Sequence, residues 1–342
     1  MATLDRVLRT PVVVAPMAGG PSTPELVAAV GGAGGLGFLA AGYRTAGQLA
    51  EDIARTRRLG AEPFGVNLFV PRPSSADPGA LERYLAELEP EAERFGVALG
   101  AARWEDDDWT AKLAILLADP VPVVSFTFGC PPAEVVAGLQ GAGSAVVVTV
   151  TTPEEAAQAE SAAPDALCVQ GAEAGGHQSA FADATGPDES VVLLERLAAV
   201  ATVSALPLLG AGGLATGSDI AAVLAVGGVA AQLGTAFLCC PESATSGVHR
   251  SALLDGGFST TALTRAFSGR WARGLANRFM AAHPEAPAAY PEVHHATLPI
   301  RRAAAAAGDP DAVNLWAGTG FAQCRSLPAA ELVAQLVAES VE

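Results

Sequence analysis

The sequence predicts an α/β protein, and within that class a (β/α)8 TIM barrel, from the order and character of its apolar segments. Short apolar runs rich in β-branched residues recur along the chain, and segments with helical patterns lie between them. Within each run the apolar residues are continuous rather than alternating, which is typical of parallel strands buried on both faces. Eight runs match the eight strands of a barrel: Val12–Pro16, Leu36–Ala40, Phe64–Val70, Val121–Phe128, Ala145–Val150, Ala166–Gln170, Leu206–Gly210 and Ala230–Leu238.

The segments between these runs are predicted to be helices. Pro24–Val30 follows Ser22 and Thr23, and the segment after the seventh strand opens with Ser218 and Asp219, which are good N-terminal capping residues. The other predicted helices of the barrel are Gln48–Leu59, Ala133–Leu139, Glu154–Ala159, Val191–Val200 and Ser218–Val226. Strands that alternate with helices in this way indicate a parallel sheet.

The chain is longer than a barrel needs, so we expect additional segments. It has 342 residues, whereas a TIM barrel takes roughly 250. We expect the barrel to span residues 1–240, with a helical insertion at 72–119 after the third strand. We expect residues 241–342 to form a C-terminal helical extension that packs on the barrel as a lid, with a final helix near Ala329–Val337.

The composition excludes several classes of protein. Asp and Glu total 36 against 20 Lys and Arg, which gives a net charge of −16. This balance argues against binding to nucleic acid and favours an enzyme that acts on small molecules. Half of the residues are apolar, so a large core is available and global disorder is excluded.

The cysteines and the apolar runs indicate a cytoplasmic protein without a metal site. The five cysteines are odd in number and form neither a CxxC motif nor a Cys/His zinc spacing. A reducing compartment is the simplest setting for them. We expect no membrane segment, since no uncharged apolar run approaches the roughly 18–20 residues of a membrane helix, and the N-terminal residues lack a signal-like apolar region.

The most informative stretch for function is Gln170–Gln178, which follows the sixth predicted strand. It reads Gln-Gly-Ala-Glu-Ala-Gly-Gly-His-Gln. Its glycines allow a ligand to approach the backbone closely, and His177 can exchange a proton near neutral pH. This combination predicts a flat or phosphorylated ligand on the backbone, with an acid/base residue beside it.

Glycine-rich turns after the last two strands predict a phosphate site. Gly210-Ala211-Gly212-Gly213 follows the seventh strand and Gln232-Leu233-Gly234-Thr235 follows the eighth. In TIM barrels the active site lies at the C-terminal ends of the strands, and phosphate groups commonly bind after strands seven and eight. A tight turn alone would also explain each glycine, but the paired placement favours phosphate binding.

A dinucleotide-binding Rossmann motif is not supported. The G-x-G-x-x-G pattern at Gly32–Gly37 precedes a strand, whereas the dinucleotide motif follows one. The pattern at Gly210–Ala215 does follow a strand, but no Asp or Glu occurs from Ile220 to Pro241, where a ribose-binding acid would lie.

Polar or flexible residues also occur at other strand ends. Asn67 lies inside an apolar run, where an amide needs a hydrogen-bond partner. It is therefore either a ligand contact or one half of an internal hydrogen bond. Ala15-Pro16-Met17 closes the first strand with a rigid kink, and Gln170 ends the sixth with an amide that can donate and accept.

These motifs together resemble the nitronate monooxygenases, formerly called 2-nitropropane dioxygenases. The resemblance rests on Ala15-Pro16-Met17, Gly65-Val66-Asn67, the glycine-rich motif ending in His177, and Gln232-x-Gly234-Thr235. It continues from Phe267-Ser268-Gly269-Arg270 through Asn277-Arg278, and then Leu315 to Gly320. It spans most of the chain in the family's order, and the glycine-rich motif is its specific part.

The resemblance implies an FMN-binding barrel and assigns roles to individual residues. Ala15, Pro16 and Met17 would line the flavin ring, and Asn67 and Gln170 would hydrogen-bond the ring or a nearby ligand. His177 would be the catalytic residue. Gly175, Gly212, Gly213 and the segment Gln232 through Thr235, which includes Gly234, would hold the ribityl phosphate, and Gly176 would be a further cofactor-binding residue.

The implied reaction is the oxidation of an alkyl nitronate by O2 to a carbonyl compound and nitrite. His177 would act either as the base that forms the nitronate from a neutral nitroalkane or as a group that binds the anion. Two NAD(P)H-dependent relatives of the same fold stay open, a quinone reductase and an enoyl-thioester reductase, and so does a barrel that binds phosphate without redox chemistry. The sequence leaves the oligomeric state open, with a homodimer as the assembly considered.

Some expectations concern the substrate pocket. The tyrosine-rich pocket of some bacterial members is not evident, because the chain has only Tyr43, Tyr84 and Tyr290. Phe126 and Phe128 are expected in the core, and Glu105–Asp108 is expected to be a solvated face. Among the other histidines, His294 and His295 are weaker candidates for the pocket rim.

Overall fold

A computed structural model describes residues 4–182, 186 and 189–341. Met1–Thr3 and Glu342, which the predicted domains include, lie outside the described residues. No helix within the described ranges combines the length and apolar character needed to cross a membrane.

Eight parallel strands close into a barrel, which confirms the predicted fold class. Each predicted strand is present, and the closure runs in sequence order until the last strand, Ala230–Leu233, pairs with the first, Val12–Val14. The strands of the barrel are β1 (Val12–Val14), β2 (Leu36–Ala40), β3 (Gly65–Phe69), β4 (Val123–Thr127), β5 (Ala145–Val150), β6 (Ala166–Gln170), β8 (Leu208–Ala211) and β9 (Ala230–Leu233).

The interior of the barrel is a packed core. Val13, Phe38, Val147 and Cys168 point into it from four different strands, and Leu4 covers one end. The outer faces of the strands pack against the helices, so every barrel strand is buried on both sides. This explains why the strands read as continuous apolar runs.

The helices form an outer ring and a second layer. The structure contains α1 (Pro24–Gly32), α2 (Ala46–Arg58), α3 (Pro78–Arg94), α4 (Trp109–Ala118), α5 (Ala133–Ala142), α6 (Pro153–Glu160), α7 (Leu193–Ala201), α8 (Gly217–Ala225), α9 (Gly247–Leu254), α10 (Arg278–Ala282), α11 (Glu292–Ala307) and α12 (Ala329–Glu339). Four short 3-10 helices, Leu4–Arg6, Thr235–Phe237, Pro310–Ala312 and Thr319–Gln323, complete the described helical segments.

The C-terminal residues contribute directly to the barrel. Helix α12 packs between α8 and α1, so it occupies the position of the eighth helix of the ring. Helix α4 packs between α2 and α5, so it is the barrel helix that follows β3. Helices α3 and α11 pack on each other in the second layer. The predicted domain boundary at residue 240 stays a prediction.

The start of α8 differs from the prediction by two residues. Thr216, rather than Ser218, is the N-cap, and its side chain accepts a hydrogen bond from the Asp219 N–H. The Asp219 carboxylate accepts the Thr216 N–H in return, which completes a capping box. Asp219 is thus a capping residue at the third helical position.

A small antiparallel sheet lies outside the barrel, at the glycine-rich motif. Strand β11 (Ala272–Leu275) pairs with β10 (Thr261–Thr264) on one side and with β7 (Gly176–His177) on the other. His177 lies opposite Ala272 in this pairing. Residues more than ninety positions away therefore fix the backbone of the candidate catalytic histidine.

Candidate active site

All the sequence-predicted site residues line one cavity of about 960 Å³. The cavity lies at the C-terminal ends of the barrel strands, where barrel enzymes carry their active sites. The residues that it brings together are Ala15, Pro16, Met17, Asn67, Gln170, Gly175, Gly176, His177, Gly212, Gly213, Gln232, Gly234 and Thr235.

His177 is held from its backbone and from one ring nitrogen. Its carbonyl oxygen accepts a hydrogen bond of 3.2 Å from Gln170 Nε2. Its Nε2 lies 2.9 Å from the hydroxyl oxygen of Ser268, on the loop before β11. Nδ1 has no hydrogen-bond partner among the described residues. One ring nitrogen is therefore held by a contact within the protein.

The environment of His177 keeps the imidazole neutral. Burial, and secondarily the positive charges of Arg270 and Arg301, lower the pKa of His177 from 6.5 to about 3. Phe128 and Tyr290 lie edge-on to the ring, with centroids 5.8 and 5.5 Å away. At pH 7 the group is an uncharged imidazole in a positive field.

The two predicted amides already have partners within the protein. Gln170 uses both ends of its amide on the glycine-rich segment, since Oε1 accepts from the Ser179 N–H at 2.7 Å. The Nδ2 group of Asn67 donates to the hydroxyl oxygens of Ser125 and Thr127, both at 2.9 Å. Asn67 is 2% exposed. The internal hydrogen bond, which was one of the two interpretations of this residue, is therefore present. The side chains of Asn67 and Gln170 nevertheless both line the cavity.

The glycine turns leave backbone donors free. In the described structure no hydrogen-bond acceptor lies in range of the N–H groups of Gly212, Gly213 and Gly234. Gly212 and Gly213 have φ values of +133° and +70°, a region that side-chain-bearing residues rarely adopt. Unpaired donors on such turns suit an anion.

Gly318, in the C-terminal part of the chain, contacts the same turns. The Gly318 N–H donates to Thr235 Oγ1 at 2.9 Å, which leaves the hydroxyl proton of Thr235 available. A Cβ atom on Gly175 would lie 2.5 Å from the Gly318 nitrogen. Gly175 is therefore required for close contact between two backbone segments, whereas Gly176, with no atom within 4 Å of its Cβ position, is open.

Two tyrosines belong to the surroundings of the site, contrary to the expectation of a pocket without them: the Tyr290 ring contacts His177, and Tyr43 lines the cavity. The hydroxyl groups of Tyr43 and Tyr290 are hydrogen-bonded at 3.0 Å. Tyr43 also stacks on His294, with ring centroids 4.0 Å apart and planes within 4°. His294 and His295 both reach the cavity, and Phe128 lines it while Phe126 is in the core.

The acidic segment 105–108 is not simply a solvated face, as the sequence suggested. Asp107 forms an ion pair of 2.8 Å with Lys112, the only lysine of the chain, which is 1% exposed. Its other oxygen accepts the Tyr43 N–H at 2.9 Å, and Tyr43 has a left-handed backbone with φ +64°. Burial raises the pKa of Asp107 to about 6, more than Lys112 lowers it.

A buried arginine adds positive charge to the cavity. Arg301 donates hydrogen bonds to the His294 carbonyl at 2.8 Å, to Thr297 Oγ1 at 3.1 Å and to Asn314 Oδ1 at 3.2 Å. Burial lowers the pKa of Arg301 to about 10, so it stays charged at pH 7. Because these three acceptors are neutral, its charge favours an anion in the cavity.

Sequence reasoning missed Tyr43, Tyr290, Arg301 and the Asp107–Lys112 pair as parts of the site. A possible signal for the last was the isolated lysine in a chain whose other cations are arginine. Nothing in the spacing of the other three residues indicates the cavity. Within the described residues no group of three or more His, Cys, Asp or Glu could hold a metal ion.

The fold and the cavity define a barrel protein with a neutral histidine beside glycine turns whose N–H groups are unpaired. The nitronate monooxygenase family profile matches residues 2–339. The chain is 43% identical to the nitronate monooxygenase of Pseudomonas aeruginosa over 340 residues, which covers 97% of this chain and 96% of that relative. The protein therefore belongs to the nitronate monooxygenase family and is an oxidoreductase.

Solved structures agree with this assignment. The nitroalkane oxidase of Streptomyces ansochromogenes superposes with a TM-score of 0.96 at 52% identity, covering 99% of this chain and 97% of that chain. FabK from Thermotoga maritima, at 24% identity and a TM-score of 0.74, covers 98% of this chain and 94% of its own, and shows a shared fold alone.

Proposed function

We propose that the protein binds FMN and oxidises alkyl nitronates with O2 to carbonyl compounds and nitrite. The observation that carries the proposal is the neutral His177, whose pKa is lowered by burial and by the positive charges of Arg270 and Arg301. A nitronate is a small anion, and the buried positive charge of Arg301 favours it over its neutral parent. The family resemblance supplies the cofactor class.

The cavity offers matching groups for each part of FMN. The unpaired N–H groups of Gly212, Gly213 and Gly234 and the hydroxyl of Thr235 would hold the phosphate. Ala15, Pro16 and Met17 would line the flavin ring, beside Asn67 and Gln170. Bound there, the flavin supplies the electron transfer between nitronate and oxygen.

His177 would act on the substrate through Nδ1. Its Nε2 is occupied by Ser268, so the direction of that hydrogen bond sets the state of Nδ1. When Ser268 donates, Nδ1 carries the proton and can donate to a nitronate oxygen. In the other tautomer Nδ1 can accept the α-proton of a neutral nitroalkane.

The low pKa of His177 favours the nitronate as the better substrate. A general base works best when its pKa lies near the working pH, and that of His177 is about 3. Abstraction of a carbon-bound proton by so weak a base is slow. A neutral imidazole, in contrast, is a suitable donor to an anion.

The test is an anaerobic comparison of flavin reduction by ethyl nitronate, nitroethane and NADH on the purified holoenzyme. We expect rapid bleaching by the nitronate, slower bleaching by nitroethane and none by NADH. Rapid bleaching by NADH with none by the nitronate would contradict the proposal and favour a reductase. A protein that neither contains flavin nor takes it up would favour the non-redox alternative.

The remaining assignments stay predictions from the sequence. They are the cytoplasmic location, the homodimer, and the FMN-binding barrel over residues 1–240 with its insertion at 72–119 and a lid formed by 241–342.

A further inference from the structure

A second cavity of about 470 Å³ lies directly behind the aromatic wall of the candidate active site. It shares the aromatic residues Tyr43, Phe69 and Phe128 and the acidic residues Glu105–Asp107 with the main cavity, so the two spaces are neighbours across single side chains. We call it the outer cavity.

Four aromatic residues form a closed ring of contacts between the two cavities, and we call them the collar. Phe69 contacts Tyr43 and Phe128, with centroids 5.7 and 4.5 Å apart. Phe128 contacts Tyr290 at 5.6 Å, and the Tyr290 hydroxyl is bonded to that of Tyr43. Since Phe128 and Tyr290 also contact His177, one layer of rings separates the histidine from the outer cavity.

The lining of the outer cavity beyond the collar is mainly apolar. Val70, Pro71, Phe181 and Ala288 supply its walls, together with the half-exposed ring of Trp104. Its lining also includes Arg72, Arg270 and the acidic residues Glu105–Asp107. Several of these charged groups have partners in the protein: the Arg72 guanidinium donates to the Phe181 carbonyl, the Arg270 guanidinium lies 4.1 Å from the centroid of the Phe128 ring, and Asp107 pairs with Lys112. Such a wall suits hydrocarbon better than a second anion.

We propose that the outer cavity binds the apolar chain of the substrate, so that the preferred substrates are nitronates with a chain of several carbons or an aromatic ring. The inference rests on the proposed function, which places the nitronate group at His177. The volume is sufficient, since an apolar cavity of about 150 Å³ already holds a benzene molecule. The chain would have to enter the outer cavity between the rings of the collar, while the charged group would stay beside His177 and Arg301 in the main cavity.

The first test is a series of primary nitronates from ethyl to octyl on the wild-type holoenzyme, with nitrite release as the readout. We expect kcat/KM to rise roughly fourfold for each methylene group that enters the outer cavity, and then to level off when the chain fills it. A flat series, or one that falls with length, overturns the inference.

The second test fills the outer cavity from Ala288, which lines the outer cavity but not the main one. Ala288→Phe adds a ring to the outer cavity, whereas Ala282→Phe adds the same ring to the exposed end of α10 as a matched control. We expect Ala288→Phe to lower the octyl-to-ethyl ratio of kcat/KM at least tenfold, and Ala282→Phe to leave that ratio at the wild-type value. An unchanged ratio in Ala288→Phe means that the outer cavity carries oxygen or water only, which overturns the inference.

The two proposals fail in different ways. Oxidation of ethyl nitronate without any dependence on chain length overturns the outer cavity as a substrate site and leaves the proposed function intact. Failure to oxidise any nitronate overturns the proposed function itself. If Ala288→Phe does not fold, the wild-type series still decides.

Discussion

The ion pair between Lys112 and Asp107 gives a sharp test of how helix α4 and the segment before it support the candidate active site. The Lys112 ammonium lies 2.8 Å from one oxygen of Asp107 and 2.9 Å from the Ala41 carbonyl, and it is almost fully buried. Lys112→Met keeps an unbranched side chain but leaves Asp107 without its partner. Breaking a buried pair on one side costs about 3–5 kcal/mol.

The loss of stability in this variant depends on pH, and the raised pKa of Asp107 gives the direction of that dependence. Folded Asp107 keeps its proton up to about pH 6, whereas its ordinary pKa is 3.8. Between these values the folded state binds more protons than the unfolded state, so stability falls as pH rises, by about 3 kcal/mol for roughly two pKa units. In Lys112→Met the pKa of Asp107 rises further, because the attraction of the ammonium is lost.

We therefore expect the variant's deficit in free energy of unfolding to be small at pH 5 and about 3 kcal/mol or more at pH 8. Urea denaturation at both pH values measures it. Adding Asp107→Asn should recover much of the loss at pH 8, since no buried charge is then left unpaired. A deficit that is equal at the two pH values, or larger at pH 5, would refute the reasoning.

Four further predictions concern the site itself. Because the pKa of His177 is about 3, kcat/KM for ethyl nitronate should show no histidine ionisation between pH 5.5 and 8, and an inflection near 6.5 in the pH profile would contradict this. His177→Ala should lower kcat/KM for the nitronate roughly 10- to 100-fold, the loss of a hydrogen bond to a charged group, whereas loss of nitroethane turnover alone would identify a base. Ser268→Ala, which frees Nε2, should lower it only about 2- to 10-fold, as nitrite assays can measure. Thr235→Val should weaken FMN binding about tenfold in a fluorescence titration, because a donor to the phosphate is lost, and unchanged affinity would place the phosphate elsewhere.

The strands and the glycine turns could be read from the sequence because their causes are local. A strand buried on both faces must be apolar along its whole length, as at Ala145–Val150. A turn with a left-handed backbone favours glycine, as at Gly212 and Gly213. The common barrel end of the site follows from these two signals, since parallel strands direct all their following loops to one edge.

The predicted positions of the helix ends were less accurate than those of the strands, because a helix end is determined by side-chain contacts among a few residues. Ser218 and Thr216 are both good caps by type, and only the geometry shows that the Asp219 carboxylate closes a capping box on Thr216. The eighth helix of the ring illustrates the same limit at longer range. Its residues, Ala329–Glu339, carry an amphipathic pattern, but a pattern does not specify which surface it covers.

The sequence by itself determined the barrel, the glycine-lined cradle and the candidate histidine, because these depend on residue type and local spacing. Only the tertiary structure decided what surrounds that histidine. Tyr43 and Tyr290 are 247 residues apart and meet through a hydrogen bond, and Ser268 reaches His177 from 91 residues away. Periodicity and composition describe which face of an element is buried, whereas the partner of a buried polar group depends on which distant segments the fold brings together.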